Sequence, residues 1–139
     1  MRNMAWMITT GISLCICMSA TNADQTAVAP PHGSSLVLEV RADGVQIYDC
    51  KVKGSRFEWS FTAREANLFN QEGRQIGTHF AGPSWKLTDG SEVVGEVIAK
   101  ADAPNPGAIQ WLLLRAKSHE GSGMLSQAAF VRRVDTKAG

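Results

Sequence analysis

Three absences narrow this 139-residue chain before any motif is sought. There is no charge excess: 14 Lys and Arg stand against 13 Asp and Glu. Nucleic-acid binders need a basic face and membrane-surface adhesins a polybasic segment, so neither class is expected. Arg132-Arg133 is the only adjacent basic pair and reads as a solvated strand end. There is no long apolar run. Met4 to Met18 carries no ionisable carboxylate or amine but is interrupted by Thr9, Thr10, Gly11 and Ser13, too short and too broken for a comfortable membrane span. There is almost no cysteine outside that stretch: Cys15 and Cys17 lie within it, and Cys50 is alone in the rest of the chain.

What stands at the N-terminus is an export signal. Arg2 supplies the positive start, the apolar stretch follows, and Thr21-Asn22-Ala23 ends it in small residues suited to a signal peptidase. Residues 1–23 are therefore read as a signal peptide, with a mature start near Asp24 and a periplasmic or extracellular location. Leu14 before Cys15 and Ile16 before Cys17 are too large for a lipidation site, so no stable membrane anchor is expected. Cleavage removes Arg2 and both signal cysteines. The remainder is long enough for one core without a disulfide staple. Cys50 becomes an unpaired thiol in an oxidising compartment, either buried on a strand or available to an intermolecular partner.

Residues 24–34, with Pro30-Pro31, read as an extended leader outside the core. From residue 35 to 139 the texture is a single β domain. Leu36, Leu38 and Val40 alternate with polar positions, Asp43-Gly44 offers a tight hairpin, and Val45–Cys50 is the returning strand. Phe57, Trp59 and Phe61 recur at period two, which predicts a core face. Thr62-Ala63-Arg64-Glu65 fits a helical capping box, but a hairpin from Ala66–Asn70 to Arg74–Phe80 is favoured. Val93–Ala99 is strand-like, and Ala103–Gly107 is a loop. Ile109–Ala116 is apolar on both parities, as for a central strand covered on both faces. A last strand falls near Ser126–Val134. The expected fold is all-β: an antiparallel β-sandwich or barrel of about eight or nine short strands.

Several blocks occur together: Val45-Gln46-Ile47-Tyr48-Asp49-Cys50, then Asn70 to Trp85 (NQEGRQIGTHFAGPSW), Asp89-Gly90-Ser91 with Val94-Gly95, and Trp111 to Lys117 (WLLLRAK). In this order they resemble an uncharacterised family of exported bacterial and fungal proteins, domain of unknown function number three-four-five-five. The resemblance covers roughly Leu36 to Thr136. It implies fold and export more than chemistry, since the family brings no established activity. Some fungal members bear dehydrogenase names, but no strand leads through a Gly-x-Gly-x-x-Gly turn into a helix here. Arg64 stands where members often have Pro. Members usually continue into a Gly-Cys-containing tail and a further aromatic-rich strand, so the resemblance implies a C-terminally truncated domain. The partner of Cys50, if it matches the family's upstream cysteine, would lie in that tail.

The candidate functional residues are few. His79 and His119 are the histidines inside the domain, and with Glu120 they offer two imidazoles and a carboxylate for zinc or another divalent metal. If Ile76 and Phe80 point inward, His79 points out of the core beside Gly77. Ser118-His119-Glu120 has the letters of a hydrolytic relay, but neighbours on a strand point to opposite faces, and no Gly-x-Ser-x-Gly elbow exists. Trp85 follows a Gly-Pro turn, where a ring could stack on a sugar or an apolar ligand or fold back onto the domain. The preferred reading is a ligand- or surface-binding module for an unknown small molecule, glycan or envelope component, with no cofactor. A metal-dependent or hydrolytic enzyme using His79 and His119 is the alternative. A structural envelope protein self-associating through an edge strand or Cys50 is the third.

Overall fold

A computed structural model describes residues 23–138; the signal read at residues 1–23 lies almost wholly outside them. The described chain forms seven antiparallel strands: β1 (Arg41–Lys53), β2 (Arg56–Phe69), β3 (Gln75–Phe80), β4 (Ser84–Leu87), β5 (Glu92–Ala101), β6 (Trp111–Glu120) and β7 (Phe130–Arg133). They hydrogen-bond in sequence order as one meander that is not closed into a barrel. The chain is therefore all-β and antiparallel. No described helix is long and apolar enough to cross a membrane.

Seven strands replace the expected eight or nine because two anticipated breaks do not occur. Asp43-Gly44 makes no turn. Both residues lie inside β1, where Gly44 faces Ala66 so closely that a Cβ would strike the Ala66 backbone and methyl group. The reversal falls instead at Gly54, whose φ of 65° suits glycine. The capping-box sequence at Thr62 likewise starts no helix, and β2 runs on to Phe69. Leu38 and Val40 join no ladder and serve the core as loop residues. The next hairpin is as expected: Gly73 donates to the Asn70 carbonyl, and the Asn70 side chain accepts from the Arg74 amide at 2.8 Å.

Two apolar clusters occupy opposite faces of the sheet. On one face Leu68, Leu87, Val93 and Leu125 are buried, with Ile76, Trp85, Ala116 and Val131 packed around them. On the other, Trp111, Leu113 and Ala101 surround Val28, which is fully buried. Strand β6 supplies both clusters, and Trp111 through Leu114 are all buried, as a central strand requires. The leader is thus not outside the core. Ala23–Ala27 forms a short helix, α1, Val28 seats on Trp111, and the Gln25 carbonyl accepts from Arg132 Nη2 at 3.2 Å.

A second correction concerns the aromatic row. Phe57 and Trp59 are 76% and 74% exposed and Phe61 is 43% exposed. Only Ala66–Phe69 of β2 pairs with β3, so the outer part of the β1–β2 hairpin projects as a two-stranded ribbon. Period-two aromatics mark one face of a strand, and here nothing in the described chain covers that face.

Candidate functional site

The register sorts the chemistry of the ribbon's outer pairs by face. Cross-strand partners share a face, and the outer pairs Tyr48–Phe61, Cys50–Trp59 and Val52–Phe57 are apolar throughout. The alternate pairs Asp49–Ser60, Lys51–Glu58 and Lys53–Arg56 are polar, with Lys53 and Glu58 joined at 3.3 Å. Tyr48 meets Phe61 edge-on at 5.7 Å. Cys50 is exposed and free, so the buried-cysteine alternative does not hold. One face of this hairpin is therefore an apolar strip open to solvent.

The strip runs into the face of the sheet that carries Trp85. Gln46 lies two residues from Tyr48 and opposite Arg64, so Arg64 shares the side of Tyr48 and Phe61. Its guanidinium rests 4.9 Å from the Phe61 ring centroid. From there the ladders align Ala66, His79, Trp85, Val93 and His119 in one row across β2 to β6. An open hollow of about 400 Å³ borders Gly44, Ala66 and His79.

This row places the four expected site residues. His79 lies on the side of the buried Leu87 and Val93, so the outward orientation inferred from Ile76 and Phe80 is reversed. Gly77 does permit a close approach, and the group that approaches is Leu87 with the Lys86 carbonyl. The His79 imidazole stacks on Trp85 with centroids 4.6 Å apart and planes 12° from parallel. Its Nδ1 lies 2.9 Å from the Ser84 carbonyl oxygen, to which it donates as the neutral tautomer. Burial holds the His79 pKa below 6.5. The Ser84 bond opposes that shift, and the Arg64 and Arg133 charges add to it.

Trp85 is in β4, half-buried against the core, so it is not a ring presented on a loop. Gly95 lies beneath it, and a Cβ there would fit tightly, 3.1 Å from both the Trp85 ring and the Leu114 side chain. His119 is exposed, and its Nε2 contacts the Ala128 carbonyl at 2.9 Å. His79 and His119 are on β3 and β6, three strand spacings or about 14 Å apart. They do not share a metal or a reacting atom. Glu120 takes the opposite face, across from Glu92, whose carboxylate pairs with Lys86 at 3.7 Å. Among the described residues no group of three His, Cys, Asp or Glu side chains could hold a metal ion.

Sequence reasoning missed two features. The Asp89-Gly90-Ser91 turn is a clamp. Asp89 accepts from the Ser91 amide at 2.9 Å, the Ser91 hydroxyl at 2.6 Å and the Met124 amide at 2.8 Å, while Ser91 Oγ accepts from the Leu125 amide. These bonds, that from Met124 foremost, lower the Asp89 pKa and pin the 3-10 turn Met124–Gln127 over the core. The second is Arg133. Leu112 faces Arg133 and Leu114 faces Val131, so Arg133 lies on the Trp85 side of the sheet, half-buried rather than at a solvated end.

Strand order and register define an antiparallel meander whose outer hairpin carries an exposed apolar face. Residues 30–139 match the family described as Protein of unknown function (DUF3455), and the chain belongs to it. Neither a curated protein nor a solved structure matches the chain.

Proposed function

We propose that this protein is an exported binding module whose working surface is the apolar face of the β1–β2 hairpin, and that its ligand is a small molecule with an extended acyl-type chain. One observation carries the reading: Tyr48, Cys50, Val52, Phe57, Trp59 and Phe61 form an uninterrupted apolar strip, open to solvent, with only polar side chains on the reverse of its outer pairs. A two-stranded hairpin alone is marginally stable in water, and a contiguous exposed apolar patch marks an interaction site.

Size favours a small ligand over a protein partner. At the exposures of these side chains the strip offers roughly 600 Å², short of the ~800 Å² each partner gives to a standard interface. It is two strands wide and about 13 Å along the strand direction, dimensions that suit a single chain. Envelope assembly through the same face or the β1 edge is the competing reading.

The test is binding of n-alcohols from octanol to dodecanol, below their aggregation limits, read by tryptophan fluorescence in wild type and by thermal shift in wild type and variant. Affinity should rise roughly two- to fourfold per methylene and vanish in Phe57→Ser/Trp59→Ser. Chain-length independence, or a concentration-dependent dimer that alcohols do not dissociate, refutes the reading and favours assembly. Export is tested by N-terminal sequencing of the mature protein from a bacterial host, expected to begin near Asp24; a retained Met1 refutes it.

A further inference from the structure

The leader lies across the side of the sheet away from Trp85. Register sets Ala99 opposite Leu113, Ala101 opposite Trp111 and Leu113 opposite Arg132, so these side chains of β5, β6 and β7 share that side. Val28 is seated among them at 0% exposure and is the single buried residue from Gln25 to Val37. Beside the seat, Arg132 Nη2 gives a hydrogen bond to the Gln25 carbonyl at 3.2 Å. The leader supplies a five-residue helix, α1, and no strand, so it can lift from the sheet without breaking any part of the ladder.

The seat beneath Val28 holds an unmet polar group. Trp111 is 2% exposed, and its indole Nε1 is buried without an acceptor among the described residues. An indole N–H donates and cannot accept, and the side chain of a valine offers it nothing. A buried tryptophan normally gives its N–H to a partner, because an unpaired buried donor costs free energy and native folds hold few of them. The closed leader therefore covers an apolar floor that carries one unsatisfied donor, the composition of a small-molecule site.

We infer that the Val28 seat is a second binding site, gated by the leader, for a small apolar molecule that carries one hydrogen-bond acceptor. The apolar body replaces the Val28 side chain against Trp111, Leu113 and Ala101, and the acceptor takes the Trp111 N–H that Val28 leaves unpaired. Leader and ligand exclude each other, so the apparent affinity is the intrinsic one reduced by the fraction of open leader. The site is on the other face of the sheet from the aromatic strip and does not depend on the acyl-chain reading.

The probes are benzene and pyridine at pH 8, one shape without and with an acceptor, titrated into the mature protein with its valine methyl groups isotopically labelled. Pyridine should saturate one site and move the Val28 methyl signals from their buried to exposed-chain positions. In wild type it should bind at least as tightly as benzene, despite its far better hydration, and in Trp111→Phe it should fall at least tenfold behind benzene. Arg132→Gln, which releases the Gln25 carbonyl without changing the apolar seat, should bind pyridine severalfold more tightly because the leader opens more often. Pyridine binding that leaves Val28 in place, that Arg132→Gln does not strengthen, or that Trp111→Phe does not weaken relative to benzene overturns the inference, as does no binding at all. If Trp111→Phe does not fold, the wild-type ranking of the two probes decides. Loss of pyridine binding in Phe57→Ser/Trp59→Ser assigns the probe to the strip and overturns this site. Displacement of Val28 by pyridine in a protein that binds no alcohol keeps this site and removes the strip reading.

Discussion

Val28→Ala tests whether the leader belongs to the folded domain. Val28 is fully buried against Trp111, Leu113 and Ala101. The substitution removes two buried carbons, worth ~0.8 kcal/mol each in transfer, and leaves a small cavity at ~24 cal/mol per Å³. The expected loss is about 2–3 kcal/mol, a large part of a total of ~5–15 kcal/mol. Chain length sets the thermal equivalent at roughly 3–6 °C per kcal/mol. Val37→Ala is the matched control: the same atoms are removed from a side chain 51% exposed, and the effect should stay within about 0.5 kcal/mol. Urea titrations of the two variants and wild type, followed by tryptophan fluorescence, should show a lower midpoint for Val28→Ala with an unchanged slope. If the two variants unfold together, or Val28→Ala matches wild type, Val28 does not occupy its seat in solution and the leader is no part of the core.

Other expectations follow from single contacts. Gly77→Ala places a methyl group against the Lys86 carbonyl and Leu87, so it should cost about 1–3 kcal/mol and weaken amide protection in β3 and β4 by hydrogen exchange. Stability should fall with acid in two stages. The His79 pKa is held below 6.5, so the unfolded chain takes up the proton first and stability declines as pH drops below about 6.5. The Asp89 pKa is held below 3.8, so its contribution is present above that value and is lost as pH falls through the lower, folded value. Urea midpoints from pH 8 to 3 should lose the first stage in His79→Gln and the second in Asp89→Asn. Cys50 should react with maleimide in the native protein, without denaturant, and more slowly with dodecanol bound; labelling only after unfolding would mean that the strip is covered.

The legible part of the fold was local. Alternation and continuous apolar runs located the hairpin at Asn70–Gly73, the Val93 strand and the doubly covered β6, because those patterns follow directly from which strand faces are buried. The less legible part depended on what each face meets. Phe57, Trp59 and Phe61 announce one face of a strand, but whether chain, ligand or water lies over it is decided by the length of β2 beyond its contact with β3. Asp43-Gly44 looks like a turn because Gly tolerates positive φ. Its use here is the missing Cβ opposite Ala66, which requires the partner strand to be known. The candidate site fared similarly. His79 and Trp85 were singled out separately, and only the β3–β4 register stacks them. Arg133 was read as a solvated strand end because its half-burial on the Trp85 face depends on the β6–β7 register, which no local pattern shows.

Between Ile47 and Tyr48 the β1–β2 register slips by one residue, leaving Thr62 without a partner. Side chains on a strand alternate, so Phe61 and Arg64, three positions apart, would otherwise point in opposite directions. The bulge turns a difference of three into an even step and sets aromatic ring and guanidinium on one side. The hairpin thus carries a binary setting held by a single residue. A one-codon deletion at Thr62 would make the strand regular with Phe61 and Arg64 two positions apart, and so keep them on one side, whereas straightening the bulge with Thr62 in place would turn the aromatic strip to the far side of Arg64.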